Sequence, residues 1–240
     1  MFLPKSQTIF IFTLILIFLI AFLYKNPLIS PLSLTDDSQT CKDCNLIIIS
    51  LTNSGAKHFS TYGYQYETTP NIDEFGKESM VFENAFSHAS WTLPSGTSFF
   101  TSLFPFSHKI MERYSGEILD RDIITLADIL NSEGYRTAAF TGGFDYDIRY
   151  DVINRFGEIK NLDKGEHFSF RKLAATIEIY GDLPLTVPAA TEWLERNSGK
   201  KFFIFVQGYD SHCPFTPPEP YNDMFDPDYK GNVDFSSCFF

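Results

Sequence analysis

Asn45-Leu46-Ile47-Ile48-Ile49-Ser50-Leu51 is a continuous run, largely apolar and rich in β-branched residues, that ends in Thr52-Asn53. A strand with one wet face alternates apolar and polar residues. A run without alternation suits a strand covered on both faces, as in parallel sheets. Two later stretches extend the pattern. Tyr135 to Phe140 reads as a strand leading into Thr141-Gly142-Gly143, and Phe202 to Val206 as a second buried one. Helices are expected between them. A short one runs from about Ile72 to Glu78, after Thr69-Pro70-Asn71. Another begins near Pro94, since proline is tolerated in a first turn, and reaches about Leu103. Thr125-Leu126-Ala127-Asp128 has the form of an N-cap with an acid three residues on, opening a helix that Gly134 stops. Thr186 to Arg196 reads as a further helix. Strands separated by helices predict an α/β fold, a mostly parallel central sheet with helices on both faces. Phe144 to Tyr180 is the least regular stretch and reads as a long active-site loop or an insertion.

Ahead of the sheet, residues 1–25 stand apart. Between Lys5 and Lys25 lie 19 uncharged residues, almost all Ile, Leu and Phe from Thr8 onward. A helix of that length nearly crosses a hydrocarbon core of ~30 Å. A cleaved signal peptide is the alternative, but no Ala-x-Ala-like site follows Tyr24. The expectation is a transmembrane signal anchor over 1–25, a tether over 26–40, and a domain over 41–240 held outside the cytoplasm. Across all 240 residues the hydrophobic share is 44% and the net charge −11, which describes a folded acidic protein. Nucleic acid is excluded as a partner, because phosphate contacts need surplus Lys and Arg. Cys41-Lys42-Asp43-Cys44 precedes the first strand rather than opening a helix, so a structural disulfide or two free thiols fit better than a redox motif.

In parallel sheets ligands bind at the carboxyl ends of the strands. Three polar clusters fall there. The first is Ser50-Leu51-Thr52-Asn53. The second, Ser90-Trp91-Thr92-Leu93-Pro94-Ser95-Gly96-Thr97-Ser98, leads into a helix. A hydroxyl at a helix start sits where backbone N–H groups and the dipole favour an anion, although Ser90 or Thr92 could equally be a plain N-cap. The third is Tyr209-Asp210-Ser211-His212-Cys213-Pro214, which could orient a phosphate- or sulfate-like group, bind a metal, or form an Asx turn.

Taken in order, these clusters resemble the amino-terminal half of sulfatases, within the alkaline-phosphatase-like superfamily. The resemblance runs from Cys41 to about Asn232. Asn45–Leu51 is similar to the first strand, and His58 to Tyr64 followed by Thr69 to Asp73 to the stretch after it. Ala89 to Ser95, with Thr101, Leu103, Pro105 and His108, resembles the signature around the nucleophile. Asp210-x-His212-x-Pro214-Phe215 resembles the aspartate–histidine strand end. The resemblance implies in-line attack on sulfur or phosphorus, a divalent cation (calcium in most sulfatases), and sulfate esters as substrates. It places Thr92 at the nucleophile position, His108 and His212 at catalytic positions, and Ser95 and Asp210 in substrate binding.

Four departures qualify that expectation. Sulfatases mature Cys or Ser to formylglycine, which Thr92 cannot become because its Cβ carries a methyl group. Threonine is the nucleophile of phosphodiesterases and phosphoglycerol transferases of the superfamily. Gly96 stands where the signature has Arg, and Thr52 where the first strand has a metal-binding Asp. No carboxylate occurs from Asn45 to Tyr66, and the chain stops at Phe240, before the segment that supplies the other metal ligands. The expected function is therefore sulfate-ester hydrolysis on a small-molecule or polysaccharide ester. A Thr-nucleophile phosphodiesterase and a catalytically silent anion-binding domain are the alternatives. The sheet is also expected to leave apolar surface uncovered, since the family's later strands are missing.

Overall fold

The computed structural model describes residues 44–113, 115–162, 182–212, 215 and 217–231. Four strands, β1 (Leu46–Leu51), β2 (Arg136–Thr141), β3 (Glu158–Asn161) and β4 (Phe202–Gly208), form one sheet in the order β1-β4-β2-β3. Every pairing is parallel, with Ile49 opposite Val206, Ala138 opposite Ile204 and Ala139 opposite Ile159. The helices are α1 (Pro70–Gly76), α2 (Thr92–Thr101), α3 (Pro105–His108), α4 (Leu126–Ser132) and α5 (Leu183–Asn197).

Alternate residues of β4 feed two cores. Phe203 and Phe205 pack with Leu93 and Phe100 of α2 and Ala127 of α4. The Phe100 and Phe205 rings meet edge to face at 5.0 Å. On the other face Phe202, Ile204 and Val206 meet Ala190 and Trp193 of α5. Helices thus cover both faces of β4, which is apolar from Phe202 to Val206 and buried along its whole length. The expected uncovered surface lies on β1. Its register sets Ile47 and Ile49 on the α5 side of the sheet, and they are 49% and 64% exposed.

Local chemistry sets the element ends. Pro70 is the first residue of α1, two residues before the expected start. In α2 the proline is the third residue, which costs nothing because a first turn has no intrahelical partner for that N–H. Thr125 and Asp128 form a reciprocal capping box at α4, and Gly134 follows with φ +79°. The stretch expected to be irregular contains β3. Cys44 is disulfide-bonded. The expected anchor and tether, residues 1–40, lie outside the described residues. Among the described residues no helix is long and apolar enough to cross a membrane.

Candidate active site

A cavity of about 1000 Å³ opens between the end of β1, the segment 85–91 and one face of α2. Thr92, Ser95, Gly96, Phe99 and Ser102 recur at helical spacing along that wall. Thr92 is the first residue of α2, and the preceding Trp91 is extended and offers no side-chain cap. The helix closes with Ser95 N–H donating to Trp91 C=O at 3.3 Å. Pro94 has no N–H, and those of Thr92 and Leu93 have no partner among the described residues. Two open donors and the positive end of the helix dipole therefore lie beside the Thr92 hydroxyl.

The other expected site residues divide. Thr52 lines the same cavity. Ser95 lines it too, but its hydroxyl donates to Trp91 C=O at 2.7 Å, so toward the cavity it presents lone pairs. His108 is 2% exposed and does not line the cavity. Its Nδ1 accepts the N–H of Ile110 at 3.1 Å, which places the proton on Nε2, 3.1 Å from Ser98 Oγ. Burial holds its pKa below the usual histidine value. His108 is thus a neutral imidazole that reaches the cavity wall only through Ser98. Asp210 is exposed and accepts the N–H of Leu183 at 2.9 Å, capping α5 from outside. His212 packs edge to face on Tyr209 at 5.5 Å. Neither lines the cavity. Ser211, between them, does tie the two strand ends together, donating to Thr52 C=O at 2.6 Å.

Three contributors escaped the sequence reading. His88 lines the cavity, one residue ahead of the signature stretch, with its ring against Phe104. Gln207 is fully buried and donates from Nε2 to Thr52 Oγ1 at 2.9 Å, while its Oε1 has no partner among the described residues. Tyr146 stands where a side chain at Gly96 would go: an added Cβ would come 2.7 Å from Cζ and nearer still to the hydroxyl. That tyrosine follows Asp145, which is 1% exposed and held by Arg113 Nε and Nη2 at 2.6 and 2.7 Å. Arg113 also lies over the Trp91 ring at 5.4 Å, adjoining Thr92.

The residues present do not fit the calcium that the resemblance implies. Among the described residues no three His, Cys, Asp or Glu side chains gather. Those lining the cavity include no Asp, Glu, Lys or Arg. The Thr52 hydroxyl already faces an amide N–H, whose partial positive charge opposes an approaching cation, and hard cations prefer charged oxygens.

The family model described as Sulfatase matches residues 45–233. The chain belongs to the sulfatase family. Over 105 residues this sulfatase-family chain is 30% identical to an N-acetylgalactosamine-6-O-sulfatase of Bacteroides thetaiotaomicron, covering 42% of this chain and 20% of that protein. Its fold is similar to that of the phosphonate monoester hydrolase of Agrobacterium radiobacter, with a TM-score of 0.59 at 22% identity, over 76% of this chain and 44% of that one. An alkaline-phosphatase-superfamily protein of Vibrio parahaemolyticus gives a TM-score of 0.55 at 22% identity, over 82% and 48%. The sulfatase-family chain thus spans from a fifth to about half the length of these relatives.

Proposed function

We propose that this domain forms the nucleophile side of an ester-hydrolase site whose substrate is a sulfate ester, with Thr92 as the attacking residue. The observation that carries this is the placement of Thr92 on the cavity wall beside the unpartnered N–H groups of a helix N-terminus. The lining adds a preference. Its donors are all neutral, which suits an ester with a single negative charge better than the dianion of a phosphate monoester. Sulfate esters and phosphodiesters share that charge, so the phosphodiesterase reading stays within the same class. The sulfatase named for N-acetylgalactosamine-6-O-sulfate supports a sulfated sugar as the substrate.

In this scheme Thr92 Oγ attacks sulfur, forming an O–S bond as the bond from sulfur to the alcohol oxygen breaks. His88, the imidazole on the cavity wall, takes the Thr92 proton and passes it to the departing alcohol. Water then releases sulfate from Thr92. The apolar stretch between Lys5 and Lys25 supports placing the domain outside the cytoplasm on a membrane anchor.

A second reading has its own observation. The Thr52–Gln207 pair occupies the first-strand metal position with neutral groups, which favours a catalytically silent domain that keeps an anion pocket. Aryl sulfate, bis-aryl phosphodiester and aryl phosphate offered to the full chain separate the readings. Turnover of the first, abolished by Thr92→Val, supports the sulfatase reading; turnover of the second alone favours the phosphodiesterase. Saturable binding without turnover of any of them leaves the silent domain.

A further inference from the structure

Tyr146 is 5% exposed and lines the cavity, yet its hydroxyl makes no hydrogen bond among the described residues. A buried phenol ordinarily finds a partner, so an unpaired one facing a cavity marks a place for a ligand atom. Its position is specific. The hydroxyl lies over Gly96, one helical turn beyond Thr92 on the same face of α2. Resting on the Thr92 reading, we infer that Tyr146 Oη is the hydrogen-bond donor that holds a non-bridging oxygen of the ester, where the family signature carries an arginine at position 96.

The surroundings are built for that role. The ring is fixed edge-on between Phe100 at 6.1 Å and Phe205 at 5.4 Å. The preceding residue, Asp145, is clamped by Arg113 and also accepts from Tyr209 at 3.3 Å, so the turn Phe144–Tyr146 cannot swing the phenol away cheaply. Arg113 offsets the Asp145 charge. Burial, and then the Asp145 carboxylate, push the phenol well above its ordinary pKa, so it stays protonated and donates. Gly96 completes the device, because any larger residue there would displace the hydroxyl. A neutral donor in place of arginine agrees with a cavity whose lining holds no fixed charge.

The test is titration of the full chain with phenyl sulfate, comparing the unaltered protein with Tyr146→Phe and Thr92→Val. Tyr146→Phe keeps the ring and its packing. Weakening of about tenfold or more, the usual effect of losing a donor to a charged oxygen, is the expected result. Equal affinity overturns the Tyr146 assignment and leaves the Thr92 reading standing. Binding by none of the three proteins removes the Thr92 reading, and the inference falls with it. A second readout does not depend on how the variant folds. In 3-fluorotyrosine-labelled protein the Tyr146 fluorine resonance shifts saturably with phenyl sulfate; a resonance that stays fixed while ligand binds overturns the proposal.

Discussion

Arg113 grips Asp145 through two parallel hydrogen bonds of 2.6 and 2.7 Å, with the carboxylate 1% exposed and the guanidinium side chain 30% exposed. A bidentate pair of this kind matters most when one half is removed, because the other is then a buried, uncompensated charge. Arg113→Met is expected to destabilise the domain by about 3–5 kcal/mol in urea denaturation. Asp145→Asn with Arg113→Met should recover much of that loss. If the double variant is no better than Arg113→Met alone, the pair is not the source of the cost.

Gly96 carries a second, steric prediction. A methyl at position 96 meets the Tyr146 ring, and overpacking of this sort costs about 1–3 kcal/mol. Gly96→Ala should therefore destabilise the chain by that order, but cost far less in a Tyr146→Ala background. A double-mutant cycle by chemical denaturation reads the coupling, and simple additivity contradicts it.

The capping box of α4 is more modest. Thr125 N–H donates to Asp128 Oδ2 at 2.9 Å, and Asp128 N–H donates to Thr125 Oγ1 at 3.3 Å. Thr125→Ala is expected to cost about 1 kcal/mol, while Thr125→Ser should retain most of the stability. Thermal unfolding of the two variants side by side checks the order.

His108 makes stability depend on pH. Burial depresses its folded-state pKa below the unfolded value of about 6.5, so between the two the unfolded chain binds the extra proton. The contribution is therefore fully present above about pH 6.5 and is lost as pH falls, at no more than about 1.4 kcal/mol per pH unit. His108→Gln should flatten the curve between pH 7 and 5 relative to the unaltered chain. Parallel curves would show that His108 does not titrate on unfolding.

What the sequence displayed, and what it hid, follows from how far each feature depends on distant residues. β1 and β4 were legible because each carries a nearly continuous apolar run, the mark of a parallel-sheet strand, although only β4 is buried along its length. β3 was not: Glu158-Ile159-Lys160-Asn161 offers one apolar residue, and its strand geometry comes from pairing with β2. At the site, the hydroxyl-rich helix start around Thr92 could be read locally, since caps and first turns are local chemistry. The direction of a histidine could not. His108 has the residue type of a catalytic group, but Ile110 and Ser98 occupy its two nitrogens. Asp210 likewise is engaged by the N–H of Leu183, 27 positions away. Gln207 and Tyr146 had no signal at all, because each acts through a neighbour far along the chain, Thr52 and Gly96 respectively.

The cavity lining has a kinetic consequence. Its described residues hold no Asp, Glu, Lys or Arg, while the chain carries a net charge of −11. An anionic ester approaching through solvent meets a repulsive far field, and the lining opposes it only with the short-range partial charges of the α2 N-terminus. The reach of that field shrinks from about 30 Å at 0.01 M salt to about 10 Å at 0.1 M. Electrostatically steered enzymes capture charged ligands more slowly as salt is added. Here screening removes an obstacle, so the encounter rate with the proposed sulfate ester is expected to rise with ionic strength.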